Sequence, residues 1–557
     1  MAIVELSLTD LENLVGRKLP RDVEKLNDIL QYAKCEVERL ENDNLAVSVE
    51  DANRPDLLSA EGIARELRGP LGVSSGLANF KVGKSGVTVT VDKKLEGIRA
   101  YAACAVVKGV KVTEPLLVQL IQLQEKMNGT YGRNRKVVGT GIYNFDKIKA
   151  PIRYTVTDPE EHRFVPLDME EALTPKQVLQ QHPKGQEFGH LIADKRWWPV
   201  FLDANDKVLS MPPIINSNYS GRVDSSATNL FIEATGTAWA PTLAALNITV
   251  AALAERGGKV QSVVMVYGGK KIVTPNFRPG AAQLVLADAN SRLGIELKPA
   301  EVAKLLKRAR YGVKKVGPTM KVDVPAYRVD VMHPVDIIED IAIQYGYQKF
   351  EPIAPALPTV GAMSVREKFS DKVREVAIGL GLQEVLNFTL TNRREMFGKM
   401  QLPEQRVMIV ANPVSSEFDV LRGWMVPSLL GFLAQNRTQD YPQMIFEVGD
   451  CVVPDALAAE RSLTRRKLAI AGSHVNANLT EARSMVESVL KNLGQRYEIV
   501  GYNHPSFIPT RCAEVRVRGR HIGFYGEVHP AVLEAWKLEL PVIAIEIDLD
   551  ALMAPSA

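Results

Sequence analysis

The most informative stretch of the chain is residues 327–341, which read YRVDVMHPVDIIEDI. If its proline lies in the first turn of a helix, Asp336, Glu339 and Asp340 stand at positions i, i+3 and i+4 and share one helix face. The isoleucines between them then turn toward a core. Asp330 ends the preceding strand-like run and could point at the same place. The stretch therefore predicts a small strand-and-helix module with four acidic side chains close together.

These four carboxylates have three interpretations. Like charges at i and i+4 cost ~0.2–0.5 kcal/mol even on an exposed helix, and a bound hard cation such as Mg²⁺ would remove that repulsion. Alternatively, acidic residues occupy the first helical turns because the helix dipole favours negative charge there. A two-carboxylate catalytic site is the third interpretation, although no nucleophile or base lies nearby in the sequence. Spacing alone leaves all three open.

Length and composition limit the class of protein. The chain has 557 residues, of which 46% are hydrophobic and 24% charged, as in ordinary globular proteins. At ~100–200 residues per domain, this length predicts about three to five domains. The net charge of +3 excludes a bulk nucleic-acid coat but allows local basic patches. Basic clusters at 304–310 and 461–467 could meet phosphates, although solvated faces usually look the same.

Cysteine usage and hydropathy indicate the compartment. The four cysteines, Cys35, Cys104, Cys451 and Cys512, lie far apart without C-x-x-C spacing. This pattern excludes a disulfide scaffold and a thiolate zinc site, and it suits a reducing compartment. No apolar run approaches the ~18 residues that span a bilayer, and the first residues lack the features of a secretory signal. We therefore expect a cytoplasmic protein without a membrane partner.

Changes in pattern divide the chain into four segments. They are an N-terminal module (1–80), a mixed α/β domain (85–267), a small helical module that carries the acidic stretch (274–350), and a C-terminal domain (362–550). Between the last two lies a linker at 352–358, because three prolines in seven residues forbid regular structure. Strand-like runs outnumber helices in the last segment, which predicts an α+β fold with an antiparallel sheet.

Several local predictions follow from the same patterns. Asp56 is a candidate cap for a helix that runs through residues 57–67. Alternating valines suggest a strand at 329–331, and strand-like runs also occur at 384–389 and 407–410.

A second candidate site is a set of polar residues embedded in apolar, strand-like sequence: Ser210, Asn216, Glu233, Thr235 and Thr237. The adjacent Pro212-Pro213 stiffens the backbone, and Gly236 permits close approach of a ligand or a chain. Hydroxyls, an amide and one acid suit a pocket that positions water and an amine or hydroxyl. The alternative is that residues 235–237 only form a turn into a helix, with threonine as its cap.

Five motifs, taken in order, resemble one family, the β subunit of phenylalanyl-tRNA synthetase in its shorter archaeal and eukaryotic form. They are NRPDLL at 53–58, MPPIIN at 211–216, IEATGT at 232–237, the acidic stretch extended to 330–347, and MIFEVGD at 444–450. Together they cover nearly the whole chain, and five motifs in register are far more specific than any one of them.

The resemblance implies an architecture and a division of labour. The 85–267 segment would be an editing domain, the 274–350 segment a helix-turn-helix-like module, and the 362–550 segment a domain similar to the class II synthetase catalytic fold. The chain would join an α subunit in an (αβ)₂ heterotetramer that binds tRNA(Phe). The α subunit would bind ATP and phenylalanine and carry out aminoacylation.

The resemblance also implies two sets of site residues. The family pattern D-x₅-D-x₂-E-[DE] places Mg²⁺ ligands, shared with the α subunit, on Asp330, Asp336, Glu339 and Asp340. The editing domain of such proteins hydrolyses mischarged tyrosyl-tRNA, since tyrosine differs from phenylalanine by one hydroxyl that a snug apolar pocket rejects only partly. By motif position, the editing pocket would contain Ser210, Glu233 and Thr235. Glu233 would fix the amino group or the tyrosyl hydroxyl, the other two would position substrate or water, and Asn216 is a further candidate.

The C-terminal segment departs from the class II pattern. No arginine stands two residues before Glu447 to clamp ATP, and no glycine-rich run ending in Glu-Arg follows. We therefore expect a dimer-forming domain without catalytic motifs, in a chain that does not aminoacylate alone. Two alternatives remain: an assembly scaffold whose editing pocket has decayed, and a stand-alone Mg²⁺-dependent phosphotransferase centred on Asp330.

Overall fold

The computed structural model describes residues 2–553. The chain divides into two compact units, with the boundary after Ile353, inside the predicted linker. Both units combine helices with β-sheets, which confirms the predicted mixed α/β multidomain architecture. Within residues 2–553, no helix combines the length and the apolar character that crossing a bilayer requires.

The first unit begins with a three-stranded antiparallel sheet in the order β1-β3-β2. Its elements are β1 (Ala2–Ser7), α1 (Leu8–Val15), α2 (Val23–Leu30), β2 (Cys35–Glu41), β3 (Asn44–Val49) and α3 (Ala60–Leu67). The prediction that Asp56 caps the last helix was wrong, because a 3₁₀ turn at Pro55–Leu57 comes first and Ser59 accepts the Gly62 amide. Asp56 pairs instead with buried Arg54 at 2.9 Å.

A ten-stranded sheet forms the centre of the first unit, in the order β10-β9-β8-β7-β4-β12-β5-β11-β6 with β13 paired to β12. Its elements are β4 (Gly83–Val91), β5 (Tyr101–Lys108), α4 (Glu114–Gly129), β6 (Val138–Asn144), β7 (Ile152–Thr157), α5 (Pro175–Gln181), α6 (Pro183–Phe188), β8 (Trp198–Leu202), β9 (Val208–Met211), β10 (Ile215–Asn216), α7 (Asn218–Gly221), β11 (Asn229–Gly236), α8 (Trp239–Glu255), β12 (Lys259–Tyr267) and β13 (Lys270–Thr274).

Side chains of this sheet alternate between two cores, as the period of a strand requires. In β11, Ile232 and Ala234 belong to the core on the α8 side, whereas Phe231 belongs to the other core. Glu233 therefore emerges on the face away from α8, beside the edge strand β6.

The last part of the first unit is a three-stranded antiparallel sheet, β14-β16-β15, with three helices. Its elements are β14 (Gly280–Val285), α9 (Leu286–Leu293), α10 (Pro299–Arg308), β15 (Gly312–Lys315), β16 (Thr319–Val324) and α11 (Pro334–Tyr345). The predicted helix from Pro334 is confirmed, but the strand at 329–331 was wrong. A turn in which the Arg328 amide donates to the Pro325 carbonyl takes the chain out of the sheet.

The second unit is built on a seven-stranded sheet, β17-β20-β21-β25-β24-β23-β22, in which only the β17–β20 pair is parallel. Its elements are α12 (Val365–Gly379), β17 (Gln383–Glu384), β18 (Leu390–Thr391), β19 (Val420–Leu421), α13 (Val426–Gln435), β20 (Gln443–Pro454), β21 (Ser462–Ser473), α14 (Leu479–Asn492), β22 (Glu498–Gly501), β23 (Phe507–Val517), β24 (Arg520–Val528), α15 (Pro530–Trp536), β25 (Val542–Asp548) and α16 (Leu549–Met553). Helices α12 and α14 pack on one face, and α13 and α15 pack on the other.

Two predicted strands of this unit are largely absent from the structure. The run at 384–389 contributes only its first residue to β17, and the run at 407–410 contributes one isolated bridge through Ile409. The apolar side chains of Leu386 and Phe388 are 87% and 77% exposed. Their alternation therefore does not reflect burial in the core of this unit.

Candidate functional site

A cavity of about 370 Å³ opens beside β6 and β11, at the edge of the ten-stranded sheet. Its apolar wall comes largely from α4, β6 and the turn between β9 and β10. Three of the predicted polar residues, Asn216, Glu233 and Thr235, line it together. The volume falls within the ~300–1,000 Å³ typical of small-molecule sites.

Glu233 is the acidic group buried deepest in this wall, with 4% of the residue exposed. Its Oε1 accepts a hydrogen bond from the Tyr143 hydroxyl at 3.0 Å. Its Oε2 is buried and has no hydrogen-bond partner among the described residues. Burial raises the pKa of Glu233 to about 7, although the Tyr143 hydrogen bond and the charge of Arg99 act in the opposite direction. One acceptor atom is therefore free for a donor on a ligand.

Tyr143 connects Glu233 with Asn216. Its hydroxyl oxygen also lies 3.1 Å from Asn216 Oδ1, and because a hydroxyl has one proton it donates to one of the two acceptors at a time. Gly141, the β6 partner of Glu233, makes room for this arrangement. A Cβ at Gly141 would lie 2.5 Å from the Tyr143 hydroxyl oxygen and 2.9 Å from Glu233 Oε1.

A buried arginine holds Thr235. Arg99 Nε donates to Thr235 Oγ1 at 2.9 Å, Nη2 donates to the Thr235 carbonyl at 2.6 Å, and Nη1 donates to the Arg135 carbonyl at 2.9 Å. Burial lowers the pKa of Arg99 to about 10, so the guanidinium is still charged at neutral pH. Because Thr235 Oγ1 accepts from Arg99, its own O–H remains able to donate into the cavity.

Arg135 fixes the rim of the cavity. Its Nη1 donates to the carbonyls of Pro213 and Ile214 at 3.2 and 2.8 Å, and its Nη2 donates to Glu125 Oε1 at 2.9 Å. The guanidinium also lies 4.3 Å from the centre of the Phe188 ring. This one side chain thus joins α4, α6 and the turn that carries the two prolines, which gives the cavity a fixed shape.

His182 lines the cavity but is fully engaged. Its Nδ1 accepts the Lys184 amide at 3.0 Å, which assigns the proton to Nε2, and Nε2 lies 3.0 Å from the Leu167 carbonyl. Both ring nitrogens are thus occupied in the neutral ring, and His182 is not free to act as a general base. Two cations also border the cavity: the exposed Arg222, and the partly buried Lys184, which pairs with Glu187 at 3.0 Å.

The other two predicted polar residues lie outside the cavity wall. Ser210 faces Asn216 across the β9–β10 pair. Burial raises the pKa of Tyr143, and Ser210 has a smaller, lowering effect on it. Thr237 is exposed beyond the end of β11. The interpretation of residues 235–237 as a capped turn was wrong, because 235 and 236 belong to β11 and no side chain caps α8.

Sequence reasoning missed Tyr143, Gly141, Arg99 and Arg135. Tyrosine and glycine in an apolar strand usually indicate core packing, and a lone arginine before a strand carries no pattern. The one available signal was Gly139 and Gly141 alternating on β6, since repeated glycine within a strand marks close approach of another group.

Two acids of the acidic stretch, Asp330 and Asp340, lie in a buried ionic network. Arg328 donates to Asp330 through two bonds of 2.8 and 2.6 Å, and to Asp340 Oδ2 at 2.6 Å. Asp340 also accepts the Tyr311 hydroxyl at 2.6 Å, and Arg54 Nε lies 3.8 Å from Asp330 Oδ1. Burial acts to raise the pKa of Asp330, but the hydrogen bonds and charge of Arg328 outweigh it and bring the pKa to about 2.

The two remaining acidic residues have different partners. Asp336 Oδ2 accepts the backbone amides of Met332 and His333 at 2.8 and 2.7 Å, so the helix N-terminus accounts for its position. Glu339 is half-exposed and pairs with Lys34 at 3.0 Å.

These partners bear directly on magnesium. Asp330 and Asp340 are neutralised by buried arginine, and a cation beside them would lie close to that guanidinium. Over residues 2–553, no group of three or more His, Cys, Asp or Glu side chains is arranged to hold a metal ion. As arranged in this chain, the four carboxylates do not fit a common Mg²⁺ ion.

The cavity at Glu233 is thus the better chemical candidate. It offers an apolar wall, one carboxylate with a free acceptor atom, a hydroxyl donor at Thr235 and an amide at Asn216. This set suits an apolar group that carries one hydroxyl or amine. No pair of a nucleophile and a free general base occurs among its lining residues, so bond cleavage there would use water.

Comparisons with known proteins agree across the whole chain. Residues 282–347 match the tRNA synthetase B5 domain, and residues 351–549 match the phenylalanyl tRNA synthetase beta chain CLM domain. The phenylalanine–tRNA ligase beta subunit of Pyrococcus horikoshii is 43% identical over 549 residues, which are 98% of each chain. That of Methanocaldococcus jannaschii is 37% identical over 554 residues, 99% of this chain and 100% of the relative.

A solved structure also matches part of the chain. The crystal structure of an N-terminal fragment of the phenylalanyl-tRNA synthetase beta-subunit from Pyrococcus horikoshii has a TM-score of 0.60 and 44% identity. The match covers 62% of this chain and 100% of the fragment. Sequence similarity over nearly the full length of both chains leads to one conclusion: the chain belongs to the family of phenylalanine–tRNA ligase β subunits, which are subunits of an aminoacyl-tRNA synthetase.

Proposed function

We propose that this chain acts with an α subunit in an (αβ)₂ heterotetramer in the cytoplasm, where the α subunit aminoacylates tRNA(Phe) with phenylalanine and ATP. This chain supplies assembly surfaces, contacts to tRNA and hydrolysis of mischarged tyrosyl-tRNA. Its C-terminal unit is a class II-like domain without catalytic function. This division of labour is supported by family membership and by the lack of an ATP-clamping arginine before Glu447.

The observation that carries the editing proposal is the buried carboxylate of Glu233. Its Oε2 faces no protein donor, it lies in the wall of a small cavity, and Tyr143 orients its other oxygen. A phenol hydroxyl is the kind of neutral donor that such an atom accepts without the cost of burying a second charge. We therefore assign Glu233 to the tyrosyl hydroxyl rather than to the amino group.

This assignment explains how the site would spare correctly charged tRNA. A pocket built to hydrogen-bond a hydroxyl rejects the analogue that lacks it by as much as ~10⁴–10⁵, because its buried polar group is left unpaired. Phenylalanine would leave Glu233 in that condition. The discrimination is thus the reverse of that in a synthetic pocket, which must accept phenylalanine and exclude the hydroxyl.

The remaining polar groups would act at the other end of the substrate. The Thr235 hydroxyl, freed to donate by its bond from Arg99, would hold the ester carbonyl or the attacking water. Lys184 and Arg222, which border the cavity, would meet phosphates at the 3′ end of the tRNA. Both ring nitrogens of His182 are hydrogen-bonded, so we do not assign it as a general base.

Hydrolysis of tyrosyl-tRNA(Phe) by the purified heterotetramer tests this proposal. Glu233→Ala and Thr235→Ala should each abolish most of the hydrolysis while leaving aminoacylation intact. Glu96→Ala, which removes an exposed carboxylate of the same domain, is the matched control. Hydrolysis at the wild-type rate in both variants would favour the alternative of a scaffold subunit without editing.

Magnesium binding by this chain stays a prediction. The predicted site would lie at the interface with the α subunit. Of the four predicted ligands, Asp336 and Glu339 are not paired with arginine. Sizing the heterotetramer by mass photometry at low Mg²⁺ provides the test: Asp336→Ala with Glu339→Ala should weaken subunit association. An unaltered tetramer would contradict a structural metal at this place.

A further inference from the structure

A groove of about 800 Å³ lies between α10 and the loop that follows α3. One wall is the loop from Gly69 to Ser75, and the other carries the cations Lys304, Lys307 and Arg308. These three positions, i, i+3 and i+4, share one face of the helix. Among residues 2–553, no acidic residue lines the groove.

The three cations are not consumed by other interactions. Lys304 and Lys307 are exposed, and within residues 2–553 none of the three forms an ion pair. Arg308 is half-buried, with its guanidinium 5.5 Å from the centre of the Tyr32 ring. Such a ring contact restrains the side chain without neutralising its charge.

Basic residues often occur at the end of a helix because they compensate its dipole. That explanation is insufficient for α10. Lys304 lies before the last turn, and three carbonyls of that turn already have donors. The Leu305 carbonyl accepts the Ala309 amide, the Leu306 carbonyl accepts the Tyr311 amide, and the Lys307 carbonyl accepts both the Arg310 and the Gly76 amides. These three carbonyls are satisfied without the cationic side chains.

The groove is also rigid. The Gly76 amide donates to the Lys307 carbonyl at 2.7 Å, and Arg310 Nη1 donates to Ser74 Oγ at 2.8 Å. The backbones come so close that a Cβ at Gly69 would lie 1.7 Å from the Arg308 carbonyl oxygen. Binding therefore requires no ordering of either wall.

Several carboxylates of the first unit are paired with other arginines. Arg68 pairs with Glu255 at 2.5 Å, and Arg256 pairs with both Asp10 and Glu61 at 2.6 Å. Glu301 of α10 accepts the Lys298 amide and does not line the groove. The described lining residues thus carry a positive charge in a chain whose net charge is only +3. A fixed, cation-lined groove of this kind fits a polyanion.

We propose that this groove binds the phosphodiester backbone of structured RNA. No aromatic side chain of the described part of the chain lines it, which disfavours recognition by base stacking. Two serine hydroxyls lie opposite the cations as phosphate donors. The proposal rests on the proposed tRNA-binding function, for which it names a surface outside the cavity at Glu233. Its contribution is to affinity rather than to sequence specificity.

The salt dependence of tRNA(Phe) binding by the heterotetramer tests this inference. Each lost phosphate contact lowers the slope of log K against log[salt] by ~0.9. Lys304→Gln with Lys307→Gln and Arg308→Gln should therefore reduce the slope by about 2–3 and weaken binding at least tenfold. Competition with millimolar inorganic phosphate separates a site for free phosphate, which it would saturate, from one that needs the polymer.

The matched control removes the same charge elsewhere: Lys259→Gln, Lys270→Gln and Lys271→Gln, all exposed on β12 and β13. An unchanged slope in the groove variant, or equal reductions in both triple variants, would overturn the proposal. So would full competition by inorganic phosphate. Hydrolysis of tyrosyl-tRNA at saturating tRNA should be normal in the groove variant, so a failure of the editing proposal is separable from a failure of this one.

Discussion

Replacing Glu233 by glutamine should stabilise the protein, by an amount that depends on pH. The carboxyl has a pKa raised from 4.5 to about 7, principally by burial. A raised pKa means that the folded state binds the proton more tightly than the unfolded state does. Stability from this group is therefore fully present below about pH 4.5 and is lost as the pH rises through about 7.

The size of the effect follows from the shift. At 1.36 kcal/mol per pKa unit, burying the ionised carboxylate costs roughly 3 kcal/mol once the group is fully ionised. Integrated between pH 5 and pH 8, the loss is about 2.5 kcal/mol. Glutamine has no such titration, so the stability gained by Glu233→Gln should be about 2.5 kcal/mol larger at pH 8 than at pH 5.

Scanning calorimetry of the wild type and the variant at both pH values provides the measurement. An increase of 1 kcal/mol in the free energy of unfolding typically raises Tm by ~2–4 °C in a protein of 150–250 residues, and by less in a larger unit. The expected difference is thus several degrees at pH 8 and little at pH 5. Glu96→Gln, at an exposed position, should show no such dependence. An equal gain at the two pH values would refute the argument that burial penalises the charge of Glu233.

Three further substitutions test neighbouring parts of the structure. Tyr143→Phe removes the hydrogen bond that lowers the pKa of Glu233, and it should slow single-turnover hydrolysis of tyrosyl-tRNA by about tenfold, the equivalent of one hydrogen bond. Arg328→Met removes the principal cationic partner of two buried carboxylates and should destabilise the protein by ~3–5 kcal/mol in thermal unfolding, equally with Mg²⁺ or EDTA. Rescue by Mg²⁺ would show that a metal can replace the arginine. Gly69→Ala brings a Cβ to 1.7 Å from a backbone carbonyl of α10 and should lower Tm, whereas Gly317→Ala, with open space around it, should not.

Regular elements were predictable where one face of the element is buried. Helix α11 begins at Pro334, where the apolar period and the proline rule placed it. The runs at 384–389 and 407–410 failed because apolar alternation also occurs on surfaces, as exposed Leu386 and Phe388 show. Periodicity records that a face is apolar but does not identify what covers it.

The candidate site was predictable only in part. The residue types at Glu233 and Thr235 were informative, because an acid and a hydroxyl within a buried strand need partners. Their partners, Tyr143 and Arg99, lie 90 and 136 residues away and reach the site only through the order of strands in the sheet. No local pattern encodes that order.

For the acidic stretch, the sequence predicted the positions of the acidic residues but not the groups that balance their charges. Spacing placed Asp336, Glu339 and Asp340 on one helix, but their charges are balanced by different groups. Arg328 stands two residues before Asp330 in the motif itself. A cluster of acidic residues in a sequence nevertheless suggests a bound metal ion more readily than an ion pair with a neighbouring arginine. Burial of that arginine decides the arrangement.

We propose that Glu233 recognises the hydroxyl by which tyrosine differs from phenylalanine. The most direct measurement is the ratio of hydrolysis rates for tyrosyl-tRNA(Phe) and phenylalanyl-tRNA(Phe), determined with the heterotetramer and with its Glu233→Gln variant. We expect a large ratio in the wild type that falls toward one in the variant, mainly through slower hydrolysis of tyrosyl-tRNA. A ratio that is unchanged by the substitution would contradict it.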